Sequence, residues 1–373
     1  MSPVSLARIA VLAAVLAPAV GLGWGFNGHR RLASKIHEPL PAGCLKSWLS
    51  VQAQQVSFQE AACDPDRWRV STDANYDANE PPRHYLDIDY AQPISSYPRE
   101  WADVQTRFGQ YAIRNGQVPF RVEEFYGQLV TKFQSGNSAA VALHIAWLSH
   151  YVTDSFSPYH DTKDSDPKLN ANDTTGGHSR YESQMLGVSS NINNIANRAN
   201  SYFGTVGRAD PKNNIFDIII AGNPLAVLVA QADAQGQGDL TALYNATNDL
   251  TARRWGDALT LLSSLVASAW VDAGRPLLVG MPTGCSNLVP QGALALRGYP
   301  LPTVLPDGGT LADAGSGGGS GGGSGGGTGV GFGGGSGGGG GTSEQSPCGC
   351  GGPTAALFLF PALAVLIKRR SRP

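Results

Sequence analysis

His144-Ile-Ala-Trp-Leu-Ser-His150-Tyr-Val-Thr-Asp154-Ser-Phe-Ser-Pro158-Tyr-His160 is the stretch on which the reading of this chain turns. From Ser138 to Ser155 the apolar residues run around most of the surface, which predicts a buried helix. On that helix His150 and Asp154 lie one turn apart on one face, where both side chains can grip the same metal ion. Pro158 closes the helix and leaves His160 on the loop beyond it, free to turn toward a second ion. His144 falls out of phase with the His150 and Asp154 face and reads as a core histidine.

A second pair follows in Gly176-Gly-His178-Ser-Arg-Tyr-Glu182, where His and carboxylate are again four residues apart at the start of an expected helix. Upstream, Trp24-Gly-Phe-Asn-Gly-His29 opens a helix with Leu32, Ala33 and Ile36 on one side, and His37 reads as its half-buried or exposed end. Residues 61–90 are rich in Asp, Asn and Pro and read as a surface loop. That loop carries Cys63-Asp64-Pro-Asp66-Arg-Trp-Arg69 and Pro-Arg-His84-Tyr-Leu-Asp87-Ile-Asp89, so it can deliver a carboxylate and a histidine to a site built on helices. Asp64 and Asp66 compete for the carboxylate position, while Asp73, Asp77, Asp87 and Asp89 read as solvated. The donors are nitrogen and oxygen throughout, a set that zinc takes.

Further helices are expected over Trp101–Asn115, Val122–Phe133, His178 toward Ala199, and Leu240 to about Ala273, where Gly274-Arg-Pro stops the last. No convincing alternating strand is present, so the expected fold is a single all-α, multi-helix domain. The net charge is -2, with no basic run in the central region, which argues against holding duplex nucleic acid through its phosphates. A small or zwitterionic phosphodiester stays open.

The organisation expected is a signal peptide over residues 1–23, a folded domain over 24–280, a Pro/Gly/Ser-rich linker over 281–347 and a C-terminal segment over 348–373. Arg8, the apolar run Ile9 to Val20 and Gly21-Leu-Gly23 carry the first reading, and cleavage there makes Trp24 the amino terminus. Export permits disulfides, and any pair among Cys44, Cys63 and Cys285 is possible. The near-pure Gly/Ser tract from Gly315 to Gly341 reads as a flexible spacer. After it come Cys348-Gly-Cys350, the apolar run Ala355 to Ile367 expected as a short tail helix, and Lys368-Arg-Arg-Ser-Arg372. That order resembles the C-terminal sorting tails of exported myxobacterial proteins, which implies processing machinery as a partner and an outer-surface or secreted location. An ordinary membrane anchor is the other reading, though the run is short for one.

Taken in order, Trp24, His29, Asp66, His84, His150, Asp154, His160, His178 and Glu182 resemble the trinuclear zinc site shared by the zinc-dependent bacterial phospholipases C and the zinc-dependent fungal single-strand nucleases. The resemblance covers about Trp24 to Ala273. It implies three zinc ions: one on Asp66, His84, His150 and Asp154; one on His160, His178 and Glu182; one on the amine and carbonyl of Trp24 with His29 and a bridging oxygen of Asp154. It also implies attack on phosphorus by a metal-activated water that Asp66 orients or deprotonates. The His178 to Glu182 segment and Pro158-Tyr-His160 resemble the phospholipases more closely, whereas the short spacing from Trp24 to His29 is typical of the nucleases. Asn27 and Arg67 stand where the phospholipases carry headgroup residues. The expected activity is therefore a phospholipase C-type phosphodiesterase with phospholipid or a membrane surface as substrate, and single-stranded nucleic acid as the alternative. A surface-displayed binding domain without catalysis is a reading of a different class. No stable protein partner is marked in the sequence.

Overall fold

The computed structural model describes residues 24–167 and 175–300. The expectations placed on residues 1–23 and 301–373, namely the signal peptide, the Gly/Ser tract and the tail, lie outside the described residues. Within them the chain is mostly helical and has no strands, as the missing alternation predicted.

Among the described residues, ten α-helices of five residues or more carry the fold. They are α1 (Gly25–Lys35), α2 (Cys44–Ala53), α3 (Val56–Ala61), α4 (Asp64–Trp68), α5 (Trp101–Phe108), α6 (Val118–Gln134), α7 (Ser138–Asp154), α8 (Ser189–Ala199), α9 (Asn213–Gln235) and α10 (Leu240–Asp272). Shorter 3-10 and π turns join them. α7 is the central element, and its start is fixed by Asn137, whose side chain accepts the Ala140 N–H. It packs against α6, α1 and α3. α10 starts in the same manner, with the Asp239 side chain accepting the Ala242 N–H. At 33 residues it is about 50 Å long, and it backs both halves of the core.

Several sequence expectations are corrected. Residues 61–90 are not all loop: Pro65 sits in the first turn of α4, where its missing N–H costs nothing, and Asp64 and Asp66 face the positive end of the helix dipole. The helix expected to reach Asn115 ends at Phe108, where Gly109 takes a positive φ of 56°. The helix expected from His178 to Ala199 is broken at Val188, which is extended and opens α8. Before that break the backbone widens into a π-helical turn, Arg180–Gln184. Asp87 is buried rather than solvated, and burial together with the Asp89 charge pushes its carboxyl up to about 8.

α9 was not expected at all. Pro224 interrupts its pattern, yet Ile215, Phe216, Ile218 and Ile219 before the proline and Leu225 and Val229 after it are all buried. This helix is long and apolar enough to cross a membrane by composition, and half of its most apolar window is buried against the body. Cys44 pairs with Cys285, leaving Cys63 buried as a free thiol. The stretch after Met281, read from sequence as the start of a linker, is coil that lies along the body. Thr205 bridges to Ala295, and Asp257 accepts the N–H groups of Arg297 and Gly298.

Candidate metal centre

α7 presents His150 and Asp154 as the sequence predicted, with His150 Nε2 3.2 Å from Asp154 Oδ2. α1 lies against α7 and carries His29 to the other oxygen, Nε2 standing 3.3 Å from Asp154 Oδ1. The 3-10 turn Pro81–His84 brings His84 Nδ1 to 2.9 Å from Asp154 Oδ2 and 3.0 Å from His150 Nε2. α4 adds Asp66, whose Oδ1 is 3.8 Å from His150 Nε2 and 3.9 Å from His84 Nδ1. Five ligand-type side chains from four separate elements thus converge on one buried spot.

The second group forms beside it. His160 ends the 3-10 turn Pro158–His160, and its Nε2 is 3.5 Å from Glu182 Oε2. His178 Nε2 is 2.6 Å from the same oxygen. His178 and Glu182 hold their one-turn spacing through the π-helical widening, a distortion that recurs at functional sites. The His160 ring ties the two groups together, since its Nδ1–H donates to the carbonyl of His84 at 2.8 Å. Trp24 is fully buried at the start of α1, and its indole N–H donates to the Thr153 carbonyl at 2.7 Å, next to Asp154.

The outward hydrogen bonds determine what the inward atoms are. His150 Nδ1 faces the Ala62 carbonyl at 2.8 Å, an acceptor only, so that nitrogen carries the proton and Nε2 presents a lone pair. Thr153 Oγ1 donates to the His150 carbonyl and therefore accepts from His29 Nδ1 at 3.1 Å, leaving His29 Nε2 as a lone pair too. In these tautomers His29 and His150 turn lone-pair nitrogens toward the carboxylate oxygens. His29 Nε2, both Asp66 oxygens, Asp154 Oδ1, His178 Nε2 and Glu182 Oε2 are all buried without a hydrogen-bond partner. Such orphans cost free energy in a dry interior unless a cation satisfies them together. The residues fit a bound metal, and three sets could hold one: His29, Asp66 and His150; His84, His150 and Asp154; His160, His178 and Glu182.

The carboxylates and histidines shift one another: burial lowers His150, but Asp154 and Asp66 outweigh it and raise the ring. Burial raises the Asp154 carboxyl, but the charges of His150 and His160 outweigh it and hold the group well below the carboxylate range. Asp66 is likewise lowered, the His150 and Arg69 charges overcoming burial. Burial and the neighbouring His150 lower His29, which favours the neutral ring that a metal needs. Burial opposes charge on His160 as well, yet Glu182 and Asp154 push it up to about 10.

Asp64 is not in the cluster. Its carboxylate turns outward to accept from Arg67 at 2.7 Å and from the Trp147 indole at 3.1 Å, which leaves Asp66 as the carboxylate that α4 supplies. His144 accepts its place as a core residue, its Nδ1–H donating to the Ala140 carbonyl at 2.9 Å, and His37 is half-buried past the end of α1. Asp89 accepts from Thr162 and from the Lys163 N–H instead of joining the site. Asp73 and Asp77 cap local turns through Asn75 and Asn79. Three residues that support the site were not singled out by sequence: Thr153, Ser157, whose hydroxyl donates to Glu182, and Glu80, four residues before His84. Only that last spacing left a signal. No family model matches this chain, and no curated protein matches it.

Proposed function

We propose that the chain is an exported zinc-dependent phosphodiesterase of phospholipase C type, with a trinuclear site on Trp24, His29, Asp66, His84, His150, Asp154, His160, His178 and Glu182. The observation that carries this reading is the convergence of unpartnered nitrogen and carboxylate atoms in two adjoining buried groups. Nitrogen and oxygen donors without thiolate suit zinc at a hydrolytic centre. Zinc bound there supplies Lewis acidity, making water nucleophilic near neutral pH and stabilising charge on the departing oxygen.

The residues divide the remaining work. Asp154 turns one oxygen to His29 and the other to His84 and His150, so it would serve two of the candidate metal positions. Asp66 has its Oδ1 in ion-pair range of Arg69 at 3.3 Å, which leaves Oδ2 able to accept a proton from a water at the cluster. Among the side-chain ligands His178 is the most open, 18 % exposed against 6 % or less for the rest, so substrate phosphate enters from the His160, His178 and Glu182 side. Glu182 in that group is the feature nearer the phospholipases, and the short Trp24 to His29 spacing is the feature nearer the nucleases.

The test is hydrolysis of phosphatidylcholine vesicles and of single-stranded DNA side by side, on protein beginning at Trp24, with zinc measured on the same sample. Diacylglycerol release without DNA cleavage supports the phospholipase reading. DNA cleavage alone replaces it with the nuclease. Full zinc content with no turnover of either leaves the surface-displayed binding domain in its place.

A further inference from the structure

Glu80 is a buried carboxylate that the proposed ligand set does not use. It stands 1 % exposed at the start of the Pro81–His84 turn, with Oε1 3.6 Å from His84 Nε2. That nitrogen is itself buried and has no hydrogen-bond partner. The other ring nitrogen of His84, Nδ1, is the one that faces Asp154 and His150. His84 is therefore a ring clamped between the candidate metal centre on one edge and a carboxylate on the other.

The carboxylate is held from several directions. The Tyr151 hydroxyl donates to Oε1. Arg83 and Arg121 donate to Oε2 at 2.8 and 3.1 Å. Arg121 also reaches the Tyr151 hydroxyl at 3.2 Å, and its guanidinium lies over the Phe125 ring at 4.5 Å. Tyr151 is the neighbour of His150 on α7, so this network fastens the Glu80 carboxylate to the helix that carries the metal ligands. Two arginines alone would account for a buried carboxylate, but not for its placement against the orphaned nitrogen of a ligand histidine.

Resting on the zinc reading above, we infer that Glu80 is the positioning residue for His84. It accepts the Nε2–H, which leaves the Nδ1 lone pair aimed at the metal cluster, and Tyr151 and Arg121 hold Glu80 in place for that purpose. Closing 3.6 Å to hydrogen-bond distance needs a shift of a few tenths of an ångström. A carboxylate in this place would also fix the orientation of the ring and so favour the ion that His84 would hold.

The test compares wild type, Glu80→Gln and Tyr151→Phe as full mature chains. Zinc affinity is read by competition with a chromophoric chelator, and the ligand field by the visible spectrum of the cobalt(II)-substituted proteins. Glu80→Gln is expected to weaken one zinc equivalent by roughly 10- to 100-fold and to shift the cobalt bands, the other equivalents keeping their affinity. Tyr151→Phe keeps the carboxylate and both arginines, so it decides the matter if the first variant does not fold, with the same single equivalent weakened several-fold. Unchanged affinities and spectra overturn the inference, as does a uniform loss at every site, which marks Glu80 as merely structural. If wild type binds no zinc the metal reading itself fails and takes this inference with it. Wild type that binds zinc beside an unaffected Glu80→Gln variant refutes only the positioning role.

Discussion

Asp154→Asn is the most informative single change, because the two oxygens of Asp154 face different partners. Oδ1 points to His29 Nε2 at 3.3 Å, and Oδ2 points to His84 Nδ1 at 2.9 Å and His150 Nε2 at 3.2 Å. The amide is nearly isosteric, but it loses the charge and turns an N–H toward nitrogens that carry lone pairs. Two of the three expected zinc ions should be lost, leaving the one on His160, His178 and Glu182. At free zinc 100-fold above the dissociation constant each bound ion adds about 2.7 kcal/mol to the folded state, so two are worth about 5 kcal/mol. That is comparable to the whole stability of many domains, and it corresponds to roughly 10–20 °C in Tm for a domain of this class. Elemental analysis gives the zinc content, and calorimetry with and without a chelator gives the stability. The gap between wild type and variant should close once both are stripped of metal. Three ions retained in the variant would refute the bridging role, and an equal gap in chelator would show that the loss comes from packing instead.

Asp87 gives a pH test. Its carboxyl is raised to about 8 by burial and then by the Asp89 charge, so the folded state favours the protonated form. Its contribution is fully present below about pH 4 and is lost as pH rises toward 8, at about 1.4 kcal/mol per pH unit at most. Asp87→Asn should therefore be more stable than wild type at pH 9 and differ little at pH 4, a crossover that denaturant titrations at the two values would expose or exclude. Reduction of the Cys44–Cys285 bond, which spans a sequence separation of 241, should cost up to about 5 kcal/mol. A Cys285→Ser protein melting with wild type would remove that role. One extra residue before Trp24 should lower zinc content by one ion and reduce turnover, since an amide nitrogen has no lone pair for a metal; equal zinc and turnover would rule out the terminal amine as a ligand. Gly222→Ala places a Cβ against Asp161 Oδ2 and 2.6 Å from Arg254 Nη2, beneath the loop that carries His160. It should destabilise the fold by about 1–3 kcal/mol, and a melting temperature at or above wild type would contradict that packing.

What the sequence determined by itself was local and periodic. The one-turn spacing of His150 and Asp154, and of His178 and Glu182, was readable because a helix places residues four apart on one face whatever surrounds it. The buried character of α7, the N-terminal helix bearing His29 and the absence of strands among the described residues followed from composition and period alone. Contacts that cross between elements could not be read from local pattern. The resemblance already favoured Asp66 over Asp64, with Arg69 three residues on, but which carboxylate a five-residue helix turns to the cluster is set by its packing. The pairing of Cys44 with Cys285 rests on contacts far apart in the chain. α9 escaped because Pro224 breaks the local pattern, and its helix is held instead by burial against the body on both sides of the proline. The four-residue spacing of Glu80 and His84 was a weak signal, but Tyr151 and Arg121, which fix the carboxylate, arrive from α7 and α6, outside its own segment. Ligand identity is a property of residue type and spacing, whereas ligand orientation is set by hydrogen bonds from other elements, and those exist only once the helices have packed.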